Sequence, residues 1–192
     1  MQRNILLLSL VLLFASPAAA QMTADDFFNR AVDRLKEGDA AGAIADYTKA
    51  IELNPRDADA FNNRGSVRRR TGDHEGSIKD FTAAIAIDPS LAAAYLNRGV
   101  AKKLKGDTAG AVADYTLAIK LDPKSQSAHY NRGTARREQR DYIGAIDDLS
   151  VVITINPSHT RAYTHRALAY RALNKTSLAG ADEKRANKKA NP

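Results

Sequence analysis

The residues in this chain that could do chemistry are charged, and they recur. Arg30, Arg64, Arg98, Arg132 and Arg166 stand 34 residues apart, and Asp46, Asp80, Asp114, Asp148 and Asp182 each follow one of them by 16. A guanidinium is a rigid fork that meets a carboxylate through two parallel N–H bonds. Five of each, in phase, predict an ion-pair ladder. It runs either within each repeating unit or between neighbouring units, and the spacing is compatible with both. An exposed pair is worth ~0–1 kcal/mol, whereas stranding one partner of a buried pair costs about 3–5 kcal/mol.

Two further columns share the period. Asn29, Asn63, Asn97 and Asn131 are followed by His165 at the equivalent position. Amides can offer donors and acceptors to an extended backbone, or they can bond neighbouring helices. Leu35 is followed by Arg69, Lys103, Arg137 and Arg171, with Lys36 and Arg70 beside the first two. These cations read as partners for carboxylates or as a solvated face.

Catalytic constellations are missing. The chain has no cysteine, which excludes disulfides, thiolate metal sites and a thiol nucleophile. His74, His129, His159 and His165 form no H-x-x-x-H pair or other metal spacing. There is no G-x-S-x-G elbow and no phosphate-binding glycine loop. The expectation is a protein that is not an enzyme, with no metal and no cofactor.

The elements that must position these columns are helical hairpins. Pro55, Pro89, Pro123 and Pro157 also lie 34 apart, and such a period means a repeat array. The units run 24–57, 58–91, 92–125 and 126–159, with a degenerate unit at 160–192. Within a unit, positions such as Ile78, Phe81, Ala84 and Ile85 fall on one face of a 3.6-residue helix. Gly38, Gly72 and Gly106 can take the left-handed conformation that ends a first helix. Asp39, Asp73, Asp107 and Asp141 then cap a second helix, which stops at the residue before proline. Arg140 and Asn174 replace the turn glycine in the last two units, so those turns are expected to be somewhat strained or differently closed. No capping element precedes Ala24, so the first helix is expected to fray.

In the first unit Phe27, Ala31, Ala43, Tyr47, Ala50 and Pro55 occupy the fourth, eighth, 20th, 24th, 27th and 32nd positions. Tyr95, Gly99, Ala111, Tyr115, Ala118 and Pro123 do so in the third. This pattern resembles the tetratricopeptide repeat, in register from Ala24 to the last unit. His129, Leu149 and Val152 depart from it. The resemblance implies an all-α fold: a right-handed superhelical solenoid of antiparallel helix pairs, with first helices lining a concave groove. It places the Asn column, the basic stripe, Leu96, Val100, Tyr130 and Leu168 on that groove. The ladder arginines stand where the family is normally apolar. The family's carboxylate clamp requires Lys and Asn where this chain has Phe28 and Val32, so that clamp is not matched.

The ends carry their own signals. Residues 1–20 read as a cleavable signal peptide: Arg3, an apolar run from Ile5 to Ala15, then Ala18-Ala19-Ala20. The run is short for a membrane span, which takes ~20 residues; an uncleaved anchor is the other reading. Export, to the periplasm or the exterior, follows from cleavage after Ala20. In the last unit Glu183, Asn187 and Lys189 replace apolar residues, as a terminal cap requires. Lys184, Arg185, Lys188 and Lys189 read as a solubilising end or a basic contact.

The net charge is +7, which suits an acidic protein or peptide partner better than nucleic acid in an exported chain. The leading expectation is a non-catalytic protein- or peptide-binding scaffold acting through the groove. The alternatives are an assembly protein working through its edges or convex face, and a basic module for an anionic polymer.

Overall fold

The computed structural model describes residues 22–188. The expected leader, the side chain of Lys188 and Lys189 lie outside the described residues. Among the described residues there are ten α-helices and no strand. They are α1 (Ala24–Lys36), α2 (Ala40–Leu53), α3 (Ala58–Arg70), α4 (His74–Ile87), α5 (Ala92–Leu104), α6 (Thr108–Leu121), α7 (Gln126–Glu138), α8 (Tyr142–Ile155), α9 (Thr160–Ala172) and α10 (Thr176–Lys188). None of them is long and apolar enough to cross a membrane.

Each odd-numbered helix packs against the even-numbered helix that follows it, and each even helix packs on the next hairpin. The first helices also touch one another, α3 on α5, α5 on α7 and α7 on α9. A stack whose first helices meet must curve with those helices inside. The result is a right-handed superhelix with a concave face built from α1, α3, α5, α7 and α9.

The turns follow from local chemistry. Gly38, Gly72 and Gly106 take φ of 84°, 91° and 87°. In the first turn Gly38 N–H reaches the Leu35 carbonyl and Asp39 N–H reaches that of Arg34, closing a Schellman motif. Asp39, Asp73, Asp107 and Asp141 accept from the N–H of Gly42, Gly76, Gly110 and Gly144 at 2.8–3.0 Å. Arg140 and Asn174 adopt φ of 65° and 58°, strain that residues with a Cβ carry there. The first helix is better closed than its sequence suggested. Thr23 accepts from Asp26 N–H at 3.2 Å, and Asp26 accepts from Thr23 N–H at 2.8 Å. This capping box satisfies two groups at the end of α1 and holds the Asp26 carboxyl below its usual range.

No hairpin completes a core by itself. Ala31, Ala43 and Tyr47 are joined by Val67 from the next hairpin, and Ala111 and Tyr115 by Ala135. Small residues set the approach of paired helices. A Cβ on Gly99 would lie 2.6 Å from the Tyr115 ring, and one on Gly65 2.9 Å from that of Phe81. In the fourth hairpin Leu149 and Val152 are fully buried in place of the expected residues.

Candidate functional site: a concave basic face on an ion-paired spine

The spine is built from α1 and α2 and their counterparts. Arg30 donates to Asp46 through Nε at 2.7 Å and Nη2 at 2.6 Å. The same fork joins Arg64 to Asp80, Arg98 to Asp114, Arg132 to Asp148 and Arg166 to Asp182, at 2.7–3.0 Å. Pairing therefore runs within the hairpin. The third guanidinium nitrogen does something else. Nη1 of Arg64, Arg98, Arg132 and Arg166 donates to Thr48, Thr82, Thr116 and Ser150 of the preceding hairpin, at 2.9–3.2 Å. Each of those hydroxyls spends its own hydrogen on the carbonyl four residues earlier, which leaves a lone pair for the arginine.

All five aspartates are at most 5% exposed. A second cation helps to offset the desolvation of four of them: Arg34 lies 3.3 Å from Asp46, and Arg68, Lys102 and Arg136 lie 2.8–2.9 Å from Asp80, Asp114 and Asp148. The hydrogen bond from Arg30 holds the Asp46 carboxyl below the usual range despite its burial. An aromatic ring lies over most of the forks, with Phe27, Phe61, Tyr95 and Tyr163 at 5.0–5.8 Å from the guanidinium carbon. In the fourth hairpin His129 takes that place. It meets Asp148 at 3.0 Å and the Pro123 carbonyl at 3.2 Å.

Two series here were visible in the sequence as 34-residue recurrences but went unread: Thr48, Thr82, Thr116 and Ser150, and Arg34, Arg68, Lys102 and Arg136. Lys184 and Tyr170 end the two series in the last hairpin. At the other end Arg30 Nη1 meets Met22 Sδ at 3.2 Å.

The other columns lie on the first helices, α1, α3, α5, α7 and α9. Asn29 is exposed. Asn63 bonds the Tyr47 phenol, which burial raises and this bond partly lowers. Asn97 donates to Asn62 of the preceding hairpin at 3.1 Å. Asn131 is half-buried on α7. Two of the four amides thus serve the stack. Leu96 and Val100 pack on Tyr115, and Tyr130 packs on the cluster around Leu149; Leu168 stays 44% exposed. Tyr130 meets two imidazoles, His159 with its ring tilted at 4.9 Å and His165 edge-on at 5.7 Å.

The basic stripe is unevenly engaged. Lys103 holds Glu138 at 2.8 Å, and Arg171 forks onto Glu183 at 2.7 and 2.8 Å. Arg69 and Arg137 have no carboxylate partner among the described residues, and Arg70 is exposed. The Nε atoms of Arg69 and Arg137 and the Nδ1 of His165 are buried without a hydrogen-bond partner. Burial, with Arg137 and Lys103 nearby, depresses the His165 imidazole below its ordinary value. Among the described residues no three His, Asp or Glu side chains gather as a metal site.

A model of the tetratricopeptide repeat matches residues 28–92 and 96–160. The chain belongs to the tetratricopeptide repeat family. Solved tetratricopeptide folds superpose on it closely. A crystal structure of MamA protein shares 23% identity with a TM-score of 0.81, over 86% of this chain and 91% of that one. MamA from Desulfovibrio magneticus shares 14% at 0.81, over 87% and 94%. YrrB, described as a tetratricopeptide repeat protein with an unusual peptide-binding site, shares 18% at 0.75, over 85% and 84%. These likenesses concern the tetratricopeptide fold. No curated protein matches the chain.

Proposed function

We propose that this tetratricopeptide array is a non-catalytic scaffold that holds a protein or peptide segment along its concave face. The observation that carries the reading is the pair of first-helix cations, Arg69 and Arg137, that hold no carboxylate among the described residues while Lys103 and Arg171 do. A guanidinium without a carboxylate of its own can pair with one brought by a ligand. The exposed Asn29, the half-buried Asn131 and the aromatic surface of Tyr130 give a peptide backbone further places to bond. YrrB's description supplies a precedent for a peptide site on this fold. The leader-like residues 1–20 support export, with the mature chain acting outside the cytoplasm.

The test is a footprint. A peptide library is panned on the chain from residue 21, and amide exchange is recorded with an enriched peptide. Protection on α3, α5 and α7 is the expected outcome, and Arg69→Glu with Arg137→Glu abolishes capture while leaving helicity intact. Protection confined to the second helices would overturn it. A second reading has its own observation: Leu53, Leu121 and Ile155 recur at the ends of second helices and are 42–50% exposed. That edge would serve self-association, which light scattering detects.

A further inference from the structure

We propose that the chain forms a two-fold symmetric dimer through the outer side of its second helices, with α6 of each copy at the centre and Lys79 on α4 of one copy paired with Asp147 on α8 of the other. The proposal rests on the self-association reading above and gives it a face, a symmetry and a charge pair.

The second helices pack on first helices and not on one another, so each keeps a side that faces solvent. On α6 that side is an uncharged stripe. Ala109, Ala113, Leu117 and Leu121 follow at four-residue spacing, which keeps them on one helix face, and all four are exposed. The two leucines are 41% and 42% exposed, and on α8 Ile143 and Ile155 are 67% and 42% exposed. Four of the eight exposed large apolar residues among the described ones thus fall on the second helices of two neighbouring hairpins. Single exposed leucines are ordinary, but a patch of them marks an interaction surface.

The flanking charges decide what covers the patch. α6 belongs to the middle hairpin, with α4 before it and α8 after it. Lys79 and Asp147 stand 34 residues to either side of Ala113, at the equivalent position on those helices. Both are exposed, and neither is in an ion pair among the described residues. Glu75, one turn before Lys79, is already held by Lys105.

A two-fold axis along α6 lays α4 of each copy over α8 of the other. Lys79 then meets Asp147 twice, and the neutral stripe meets itself. An axis across α6 would set Lys79 against Lys79 and Asp147 against Asp147, so charge selects the first arrangement. An isologous interface requires a surface complementary to itself, and opposite charges set evenly about a neutral centre supply one. Because the second helices are separate ridges, the two surfaces can interlock, with Ile143 of one copy entering beside Ala109 of the other. Both concave faces stay free and point apart, so the dimer can bridge two ligands.

The experiment is sedimentation velocity on the chain from residue 21 over a wide range of protein concentration. A monomer–dimer equilibrium is expected. A monomer at every concentration would remove both the dimer and the self-association reading. Lys79→Glu and Asp147→Lys should each weaken the dimer about tenfold, because each change acts twice in a symmetric pair. The double reversal should restore it to within about threefold. Circular dichroism should show all variants folded, since both sites are exposed. The chain has no cysteine, so Ala113→Cys reports the axis. It should cross-link to itself under mild oxidation, whereas Lys49→Cys on α2 should not. A dimer indifferent to both reversals but lost with Leu53→Ser would overturn the α6 face and leave self-association through the helix ends. Retention on phosphatidylcholine vesicles that Leu117→Ser abolishes would assign the stripe to a lipid surface and overturn the dimer.

Discussion

Arg98 and Thr82 belong to different hairpins, and the guanidinium Nη1 of the first donates to the hydroxyl of the second at 3.2 Å. The same guanidinium forks onto Asp114 within its own hairpin at 2.9 and 2.7 Å. One side chain thus closes a hairpin and fastens it to its neighbour. Such a fastening is what a linear array needs, since its stability is roughly the sum of unit and interface terms.

Removing Asp114 strands two cations. Arg98 and Lys102 both lie against it, and it is 2% exposed. Asp114→Ala should lower stability by about 3–5 kcal/mol. Glu52 meets only Lys49 on an exposed surface, and Glu52→Ala should cost under ~1 kcal/mol. Urea midpoints for the two variants check this, and coincident midpoints would dismiss the spine as a stabilising element.

Loss of a single interface hydroxyl should be felt locally. Thr116→Val keeps the shape but removes the acceptor for Arg132 Nη1. The expected loss is about 1 kcal/mol, with faster amide exchange concentrated in α6 and α7. Thr116→Ser should restore most of it, because Ser150 already performs the same role for Arg166. Uniform exchange across all ten helices would contradict the interface role.

The glycine at the α5–α6 contact is there for space. A methyl at Gly99 would stand 2.6 Å from Tyr115 Cε1, and the Ala111 carbonyl lies at 3.2 Å behind it. Overpacking of this kind costs ~1–3 kcal/mol, so Gly99→Ala should lower the thermal midpoint, and Gly99→Leu should lower it further. Gly180 has nothing within 4 Å of its Cβ position, and Gly180→Ala on α10 should instead raise it slightly.

Strain can be removed at the fourth turn. Arg140 holds φ of 65° where the first three hairpins use glycine. A left-handed residue with a Cβ costs ~1–2 kcal/mol. Arg140→Gly should therefore stabilise by roughly 0.5–1 kcal/mol after the extra entropy of the unfolded chain is counted. An unchanged or lowered midpoint would show that the Arg140 side chain does something beyond the turn.

Mild acid should weaken the last two hairpins through His165. Its folded-state pKa lies below the ordinary value because burial and then Arg137 and Lys103 disfavour the imidazolium. The unfolded chain therefore binds the proton first. Stability is intact above about pH 6.5 and falls as the pH drops through that value toward the folded pKa. His165→Gln should flatten this part of the profile. Below about pH 4 a second loss should follow as Asp46, held low by Arg30, is protonated.

The fold was legible in the sequence because its signals are local and repeat. Gly38 with Asp39 dictates a turn whatever surrounds it, proline ends a helix at Asn54 and Asp122, and alanine and aromatic positions recur on one helical face. The recurrence of Arg30 with Asp46 also announced a ladder. Its direction did not follow, since both pairings fit the same spacing. Only the packing of α3 on α4, and of that hairpin on α2, put Arg64 against Asp80 and Thr48 at once. Nor could periodicity separate Arg69 and Arg137 from Lys103 and Arg171. Whether a cation is free depends on which carboxylate the fold brings beside it, and Glu138 and Glu183 arrive from a different hairpin and from a facing helix. Identity and spacing thus settle what each backbone segment becomes, because those forces act over a few residues. The company a charge keeps is settled in three dimensions, because electrostatics and desolvation act through space rather than along the chain.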